Sequence, residues 1–438
     1  LVVAGEYLRT HHPEIFLDAV AREHFHRDMF HGYDFDNTML RIGSMNMALH
    51  GVDNPDIRYR DSLAQDHAGE EDKYSLILAN PPFSGSLDYE STANDLLSIV
   101  RTRKTELLFM ALFLRLLKPG GRAAVIVPSG VIESDSAAHK TLRRKLIEEN
   151  RLLGVIALPH WVFKPYASVA TAILIFGKSG QTDSVWFYRL ENDGYNNDAI
   201  KSPRSGSELP ELANLWKSRH ESSYQAESGK HRFVSREEIA ANDYDLCDRV
   251  YLSGYEYPSG VPLHPLSELF NIQRGTIPAA QAVGGDYLCV TTSEESKKHT
   301  EWTFEAEAIC IPIVSSTGHG HASIKRIHYV SGRFSAATIT AVMTKKATVN
   351  VYVPYVYHYL LAHKDELLVP LMRGSANVSL NEERLGKLRI PIPDDIEEQK
   401  RLVHGVVQAK QRIESLKEQL IFAENEFEAK FAEFRVSF

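Results

Sequence analysis

The hydrophobic pattern of residues 1–190 alternates short apolar runs with longer helical stretches, of which 37–50 is amphipathic and 106–117 is apolar on nearly every face. The longer stretches have helical spacing and are predicted as helices at 37–50, 106–117 and 136–150. The short runs are predicted as strands, at 28–33, 57–60, 74–79, 123–128, 153–158 and 172–176. Alternation of this kind predicts βαβ units around a parallel sheet, and therefore an α/β domain.

The pattern changes twice further along the chain. Residues 191–258 are predicted as a linker and extension: from about 192 to 230 they show little periodicity and are rich in Asn, Ser, Gly, Pro and charged residues, and a short helical segment follows at 235–241. Residues 259–395 contain short β-rich runs with glycine-containing turns, at 287–291, 308–314, 324–330, 337–343 and 349–353. We predict from these runs a second, β-rich α+β domain with a core of its own.

The tail, residues 396–438, contains no proline and has apolar residues in steps of seven, three and four. These residues are Val406, Ile413, Leu416, Leu420, Phe427, Phe431 and Phe434. A heptad seam with charged flanks predicts a long coiled-coil helix. The pattern leaves open whether the seam packs within the chain, on a second copy or on another subunit.

Composition narrows the class of protein only modestly. With 438 residues, 43% hydrophobic and 24% charged, the chain has the composition of an ordinary globular protein. No apolar run approaches the ~20 residues of a membrane span, and no signal peptide is visible, so we expect a cytoplasmic protein without a membrane partner. The net charge of −8 does not by itself support nucleic-acid binding, although a local basic face remains compatible with it. Cysteines at 247, 289 and 310 are too far apart for a zinc pair, and we expect no metal.

The strongest chemical signal is Asn80-Pro81-Pro82-Phe83, which directly follows the apolar run at 74–79. This placement puts a rigid polar turn at the carboxyl end of a strand, where open α/β sheets bind their ligands. The Asn80 amide oxygen and the Pro81 carbonyl can accept the two hydrogens of an exocyclic amine on a base. Phe83 offers a face on which an extruded base can stack. The alternative interpretation is an ordinary strand-to-loop turn with two prolines.

This turn resembles motif IV of amino-methyltransferases, and its neighbours resemble the modification subunit of type I restriction–modification systems. The similar segments are Gly32-Tyr33-Asp34, Asn46–Gly51, Asp61-Ser62-Leu63 and Leu117–Gly130, in the family's order. The resemblance implies a Rossmann-like sheet that uses S-adenosylmethionine as cofactor. It also implies that Asn80, Pro81, Pro82 and Phe83 act on the base. Asp34 would hold the cofactor's ribose hydroxyls, and Asp61 with Ser62 would contact its adenine.

One element of the family pattern is missing from the sequence. The family's Gly-rich cofactor loop would lie just before Leu1, and the chain opens on Leu1-Val2-Val3-Ala4 without a helix cap. We therefore interpret the chain as a fragment, or as a gene product with a lost start.

The second domain resembles a target-recognition domain of the type I specificity subunit. The resemblance rests on Pro265–Leu269 with Gly275, on Gly374–Leu380, and on Leu388–Pro393 followed by Glu397-Glu398-Gln399. With a single recognition unit and a single helix, the chain resembles half a specificity subunit fused to a methyltransferase. Residues expected to face DNA are His319, His321, Lys325, Arg326 and Arg373, although a plain exposed surface explains them nearly as well.

The function implied is site-specific adenine-N6 methylation of double-stranded DNA. Half a specificity subunit also implies a homodimer, or pairing with a specificity or restriction subunit through the C-terminal helix. Two alternatives remain: N4-cytosine methylation, which uses the same geometry, and a non-catalytic DNA-binding or assembly fragment.

The missing Gly-rich loop gives a direct prediction about the cofactor. The loop would approach the methionine part of S-adenosylmethionine closely, which requires glycine residues because they have no side chain. We expect this exact chain to bind the cofactor poorly or not at all in isothermal titration. Micromolar affinity would contradict the prediction.

Overall fold

The structure is a computed structural model that describes residues 1–167, 169–282, 284–293, 297–316, 322–374 and 378–436. The chain divides into two compact units, Leu1–Leu252 and a second unit that begins at Ser253. Within the described residues, no helix combines the length and the apolar character that crossing a membrane requires.

The first unit has alternating helices and strands, as the hydrophobic pattern predicts. Its helices are α1 (Val2–His11), α2 (Ala19–Arg27), α3 (Asn37–Leu49), α4 (Asn94–Ile99), α5 (Thr105–Leu116), α6 (Ser129–Glu133), α7 (Ala137–Glu148), α8 (Leu209–Ser218), α9 (Arg236–Ala241) and α10 (Asp248–Tyr251). Its strands are β1 (His31–Asp34), β2 (Asp56–Tyr59), β3 (Tyr74–Ala79), β4 (Leu117–Pro128), β5 (Arg151–Leu158), β6 (Thr171–Gly177), β7 (Ser184–Arg189) and β8 (His231–Ser235). The predicted α/β class is confirmed, and each predicted strand overlaps an observed one.

The strands of this unit form two sheets. Six strands pair in the order β3-β4-β6-β5-β7-β8, while β1 and β2 form a separate parallel pair. In the large sheet, β3 is parallel to β4 and β5 is parallel to β7, but β6 runs antiparallel between β4 and β5. The prediction of a parallel sheet therefore holds for part of it, and the sheet as a whole is mixed.

Helix α5 forms the centre of the core. Its residues are apolar on nearly every face, and all of them from Leu107 to Leu116 except the half-buried Phe109 are buried. The helix contacts α4, α7 and β4, so no face of it is left to water. Burial on every side explains why the sequence shows almost no amphipathic stripe here.

Strand β3 is an edge of the large sheet, and one of its faces is open. Leu76 and Leu78 are 57% and 50% exposed, although strands of parallel pairs are normally buried on both faces. Across this edge, the hydroxyls of Tyr33 on β1 and Tyr74 on β3 are 2.6 Å apart. This contact joins the small sheet to the large one.

The extension after β7 differs from the expected linker. Up to Leu252 it belongs to the first compact unit and contains α8, β8, α9 and α10. Helix α8 covers one face of the large sheet, where Leu212 and Trp216 pack against Trp186 and Tyr188. The polar composition of 191–207 reflects a loop bonded to itself, because the side-chain amide of Asn192 donates to the carbonyls of Ser205 and Gly206.

The second unit is α+β, as predicted. Its strands are β9 (Leu263–Pro265), β10 (Phe270–Arg274), β11 (Tyr287–Val290), β12 (Lys297–His299), β13 (Phe304–Pro312), β14 (His328–Ala336), β15 (Thr340–Lys345) and β16 (Arg389–Pro391). Its helices are α11 (Leu266–Leu269), α12 (Val353–Ala362), α13 (Lys364–Leu367), α14 (Glu382–Lys387) and α15 (Ile396–Val436). Six strands pair in the order β10-β15-β13-β14-β11-β12, and β16 pairs with β9.

One predicted strand of this unit is not present. Residues 349–353 form no strand; they lead into α12, which has a proline in its first turn. The backbone N–H of Tyr352 donates to the side chain of Gln399 (2.8 Å), so this segment is held by a side chain and not by a neighbouring strand.

The long C-terminal helix is confirmed, since α15 runs for 41 residues. Its first turns belong to the core of the second unit, with Gln399 and Val403 buried. The seam residues Val406, Ile413, Leu416, Leu420 and Phe427 are at least half exposed, and Phe431 is nearly so. The side chain of Phe434 lies outside the described residues.

The ion pair between Asp95 and Arg115 should stabilise the first unit. Arg115 is 5% exposed and donates to Asp95 at 2.7 Å, while its Nε and Nη2 atoms are buried and have no partner among the described residues. Partial burial raises the pKa of Asp95, but hydrogen bonds from the Gly69 backbone and Arg115 outweigh this and hold the pKa below its ordinary value. We expect Asp95→Asn to lower the free energy of unfolding at neutral pH by about 3 kcal/mol, because it leaves a buried guanidinium uncompensated.

The lowered pKa of Asp95 makes this stabilisation depend on pH. A lowered carboxyl pKa stabilises the fold above the unfolded-state value of about 4, and that stabilisation is lost as the pH falls below it. Urea unfolding at neutral and acidic pH should therefore show the two proteins converging in acid. Asp72→Asn is the matched control: Asp72 pairs with Lys178 at the surface, and its loss should cost less than about 1 kcal/mol. An equal effect of the two substitutions would contradict the prediction.

Candidate functional site

The Asn80-Pro81-Pro82-Phe83 turn leaves β3 at its carboxyl end, as predicted. Ala79 is in register with Val125 on β4, and β4 continues to Pro128 beside the turn. Asn80 is exposed, Pro81 is buried and Phe83 is half-buried. The proline backbone fixes the direction of the turn, and the amide of Asn80 is left accessible at the sheet edge.

A second aromatic side chain lies beside Phe83 at this edge. The Phe83 ring contacts the ring of Phe163, with 5.3 Å between centroids and an interplanar angle of 75°. Phe163 belongs to the loop that follows β5, and the sequence-based interpretation missed it. The signal was present as an aromatic-rich segment, His160-Trp161-Val162-Phe163, directly after a predicted strand.

The loop that carries Phe163 is anchored by the extension after β7. Lys201 Nζ donates to the Trp161 carbonyl (2.6 Å), and Lys164 Nζ donates to Asn197 Oδ1 (2.9 Å). Trp161 Nε1 donates to Asp193 at a longer 3.4 Å. The segment predicted as a linker therefore holds in place the loop that carries Phe163.

Two buried hydroxyls lie at the adjoining strand ends. Ser129 follows β4 and Thr171 begins β6, where it is in register with Pro128. Both residues are buried, and neither hydroxyl has a partner in the part of the chain that the structure describes. A buried hydroxyl without a hydrogen bond costs about 1–3 kcal/mol. Nothing in the sequence pattern singled them out.

The residues expected to hold the cofactor lie at the carboxyl ends of β1 and β2. The backbone N–H of Arg60 donates to the Asp34 carbonyl (2.9 Å), which keeps Asp34 within one strand spacing of Asp61 and Ser62. Each carboxylate uses one oxygen locally: Asp34 accepts from the N–H of Asp36 (2.9 Å), and Asp61 from that of Leu63 (3.2 Å). No partner is seen for the second oxygen of either carboxylate among the described residues. These free acceptors fit the hydroxyl groups of a ribose.

A charged network lies beside these carboxylates. The Arg60 guanidinium lies over the Tyr33 ring (4.9 Å) and donates to Glu70 (2.9 Å). Partial burial raises the pKa of Glu70, but the hydrogen bond and charge of Arg60, with help from His67, bring it below its ordinary value. The ion pair with Glu70 therefore fixes Arg60 at the carboxyl end of β2.

The expected DNA-facing residues do not form one described cluster. His319 and His321 lie outside the described residues. Lys325 is exposed and Arg326 half-buried on the segment before β14, whereas Arg373 is buried and donates to the backbone carbonyls of Pro370 and Met372. This placement of Arg373 does not favour contact with DNA. No group of side chains suited to a metal ion occurs among the described residues.

Comparison with protein families gives two matches that divide the chain. Residues 2–257 match the family model described as N-6 DNA methylase, and residues 258–423 match the type I restriction modification DNA specificity domain. Both resemblances seen in the sequence are thereby confirmed.

Individual relatives match the first part of the chain. The EcoEI methylase subunit of a type I restriction enzyme from Escherichia coli is 30% identical over 204 residues, which cover 46% of this chain and 41% of that protein. The MpnII methylase subunit from Mycoplasma pneumoniae is 26% identical over 243 residues, covering 51% and 43% respectively. A modification subunit of a putative type I restriction enzyme from Vibrio vulnificus YJ016 has a solved structure with 27% identity and a TM-score of 0.42. The match to it covers 51% of this chain and 46% of that one. The aligned part thus spans less than half the length of each relative.

Proposed function

The chain belongs to the N-6 DNA methylase family, and we propose that it serves to transfer a methyl group from S-adenosylmethionine to the N6 atom of adenine in duplex DNA. The setting would be a type I-like restriction–modification system, because a specificity domain follows in the same chain. The observation that carries the proposal is the Asn80-Pro81-Pro82-Phe83 turn at the carboxyl end of β3, with Phe163 facing Phe83.

The turn suits a flipped base on chemical grounds. Asn80 Oδ1 and the Pro81 carbonyl are hydrogen-bond acceptors, and an exocyclic amine offers two N–H donors. As these bonds form, the lone pair of the amine nitrogen is freed to attack an electrophilic carbon. Phe83 and Phe163 supply aromatic surfaces on which the extruded base can stack, which offsets part of the cost of leaving the duplex.

The cofactor would be held by the other half of the site. Asp34 and Asp61 each keep one carboxylate oxygen for the hydroxyl and amino groups of S-adenosylmethionine, with Ser62 beside them. When bound, the cofactor supplies the electrophilic methyl group. Its nucleoside would lie at the carboxyl ends of β1 and β2.

The second unit would select the DNA sequence. Lys325 and Arg326 lie in the described part of it, next to His319 and His321 in the sequence, and remain the proposed contacts to the backbone of DNA. Arg373 is the weakest member of the proposed set because it is buried. Methylation of cytosine at N4 remains an alternative, since the exocyclic amine of cytosine would make the same two hydrogen bonds.

A methyl-transfer assay tests the proposal. The chain, and a form that includes any coding sequence preceding Leu1, is incubated with labelled S-adenosylmethionine and duplex DNA, and the nucleosides are then separated. We expect the longer form to place label in N6-methyl-2′-deoxyadenosine, and its Asn80→Ala variant to lose at least about a hundredfold in rate, because the amine loses an oriented acceptor. Asn214→Ala, on the exposed side of α8, is the matched control and should retain the rate.

The other outcomes of this assay are informative. Label in N4-methylcytosine would favour the cytosine alternative. No label in either form would favour a non-catalytic DNA-binding or assembly role. Equal rates for Asn80→Ala and the control would show that the turn does not bind the reacting amine.

We also propose that the exposed seam of α15 pairs with a second copy of the chain. The seam residues are at least half exposed from Val406 to Phe427, while the flanks carry pairs such as Lys417–Glu414 and Lys430–Glu426. An apolar stripe with charged flanks is the surface that associates as a coiled coil. Pairing of two chains would bring together two specificity domains, each reading part of a bipartite site.

Light scattering after size exclusion tests this pairing. We expect the purified chain to have twice its formula mass, and the double variant Leu416→Lys/Leu420→Lys to have the mass of a single chain. Gln408→Lys, on the side of the helix away from the seam, adds one of these two positive charges and should leave the dimer intact. A single-chain mass for the unmodified protein would instead favour a separate specificity or restriction subunit as partner.

A further inference from the structure

A group of arginines lies at the opposite end of the large sheet from the Asn80 turn. Arg122 on β4 and Arg151 on β5 are both in register with Gly177 on β6, one on each side of it. Residues paired across a sheet point to the same face. Gly177 has no side chain, so the two arginines flank an open floor, and a Cβ at Gly177 would lie 3.8 Å from Arg122 Cγ.

A third arginine approaches this floor from α8. Gly154 on β5 is in register with Ile175 on β6, which lies on the same face of the sheet as Gly177. The Trp216 ring packs over Gly154, so that a Cβ added at Gly154 would lie 2.7 Å from the ring. Arg219 stacks on that ring with its guanidinium carbon 3.5 Å from the centroid. One of its nitrogens, Nη1, donates to the Trp216 carbonyl. Its Nε is buried without a partner, and no partner is seen for Nη2 in the described part of the chain.

These cations have no acidic partner among the described residues. Neighbouring carboxylates are engaged elsewhere: Asp72 with Lys178, Glu148 with Arg236, and Glu149 with Lys145. Burial and the charge of Arg122 lower the pKa of Arg219, and burial with the charges of Arg219 and Arg151 lowers that of His220. Like charges so placed repel one another, and a bound anion would relieve the repulsion.

We propose that Arg122, Arg151 and Arg219 form a binding site for a phosphate group, with Gly177 as its floor. Planar guanidinium groups present paired N–H donors that match the oxygens of phosphate. The stacking of Arg219 on Trp216 fixes one of these forks in advance, which reduces the entropy lost on binding. The site is independent of the proposed methyl transfer, because it uses none of the residues of the Asn80 edge.

The position of the site limits what it can contact. Arg122 lies where β4 begins its pairing with β6, whereas the Asn80 turn lies beside the far end of β4. A phosphate here is therefore separate from the nucleotide whose base would enter the Asn80 turn. Its source is either a phosphodiester of a nucleic acid that passes over this face or a free phosphate compound.

Thermal unfolding of the full chain tests the site directly. Inorganic phosphate is titrated at constant ionic strength against chloride, and a saturable rise in the melting temperature is expected. Arg151→Gln and Arg219→Gln should each weaken the apparent Kd for phosphate by about tenfold or more, since each removes charged hydrogen bonds. Arg144→Gln, an exposed arginine of α7 outside the group, is the matched control and should behave as the unmodified protein.

A second variant keeps the test decisive if loss of an arginine perturbs the fold. Gly177 does not have a positive φ, so a side chain is sterically permitted there. Gly177→Glu places a carboxylate among the arginines and should raise the melting temperature in chloride while abolishing the response to phosphate. A variant that is less stable in chloride and still responds to phosphate would overturn the proposal.

Binding of a short DNA duplex, followed by fluorescence anisotropy at several salt concentrations, distinguishes the two sources. Weaker binding of Arg151→Gln, with a salt slope smaller by about one, would identify a nucleic-acid phosphodiester. Unchanged DNA binding, together with the loss of the response to inorganic phosphate, would identify a free phosphate compound. If neither inorganic phosphate nor DNA distinguishes the arginine variants from Arg144→Gln, the site does not exist.

Discussion

The parallel pairing of β3 with β4 is the constraint on which the rest of the first unit depends. It holds Leu76 to Ala79 in register with Arg122 to Val125, so that both strands end on the same side. The crossover between them contains α4 and α5, and α5 is buried on almost every face. The turn at Asn80 is polar and rigid because it is the point at which a buried strand meets solvent.

The two ends of the large sheet carry different chemistry. At the carboxyl end of β3 and β4 lie an accessible amide, two aromatic rings and two buried hydroxyls, a set suited to an uncharged heterocycle. At the other end lie guanidinium groups that have no carboxylate partner in the part of the chain that the structure describes, a set suited to an anion. The segment after β7 contributes residues to both ends of the sheet. At one end Lys201 donates to the Trp161 carbonyl, and at the other lie Trp216 of α8 and Arg219, which directly follows α8.

Much of the fold could be predicted because its signals are local. Strands 74–79, 153–158 and 172–176 were visible as apolar runs, and α15 as a heptad pattern, since burial on one face or two leaves a fixed period in the sequence. Errors arose where partners distant in sequence decide the conformation. Strand β4 begins at Leu117 and not at 123, because the Pro-Gly-Gly segment is bonded to β6 through Gly120 and Lys178. The segment at 349–353 was predicted as a strand because its β-branched residues alternate, yet Gln399 holds it as the approach to α12.

Some residues of the candidate site could likewise be predicted from the sequence, and others could not. By itself, the sequence determined the Asn80-Pro81-Pro82-Phe83 turn and the positions of Asp34 and Asp61 at strand ends, because each follows directly from a strand and the residues next to it. Only the tertiary structure decided that Phe163 faces Phe83, that Ser129 and Thr171 are buried, and that Arg219 joins Arg122 and Arg151. These groups meet through strand order and helix packing, which bring together residues far apart in the chain, and no local period of the sequence records such pairings.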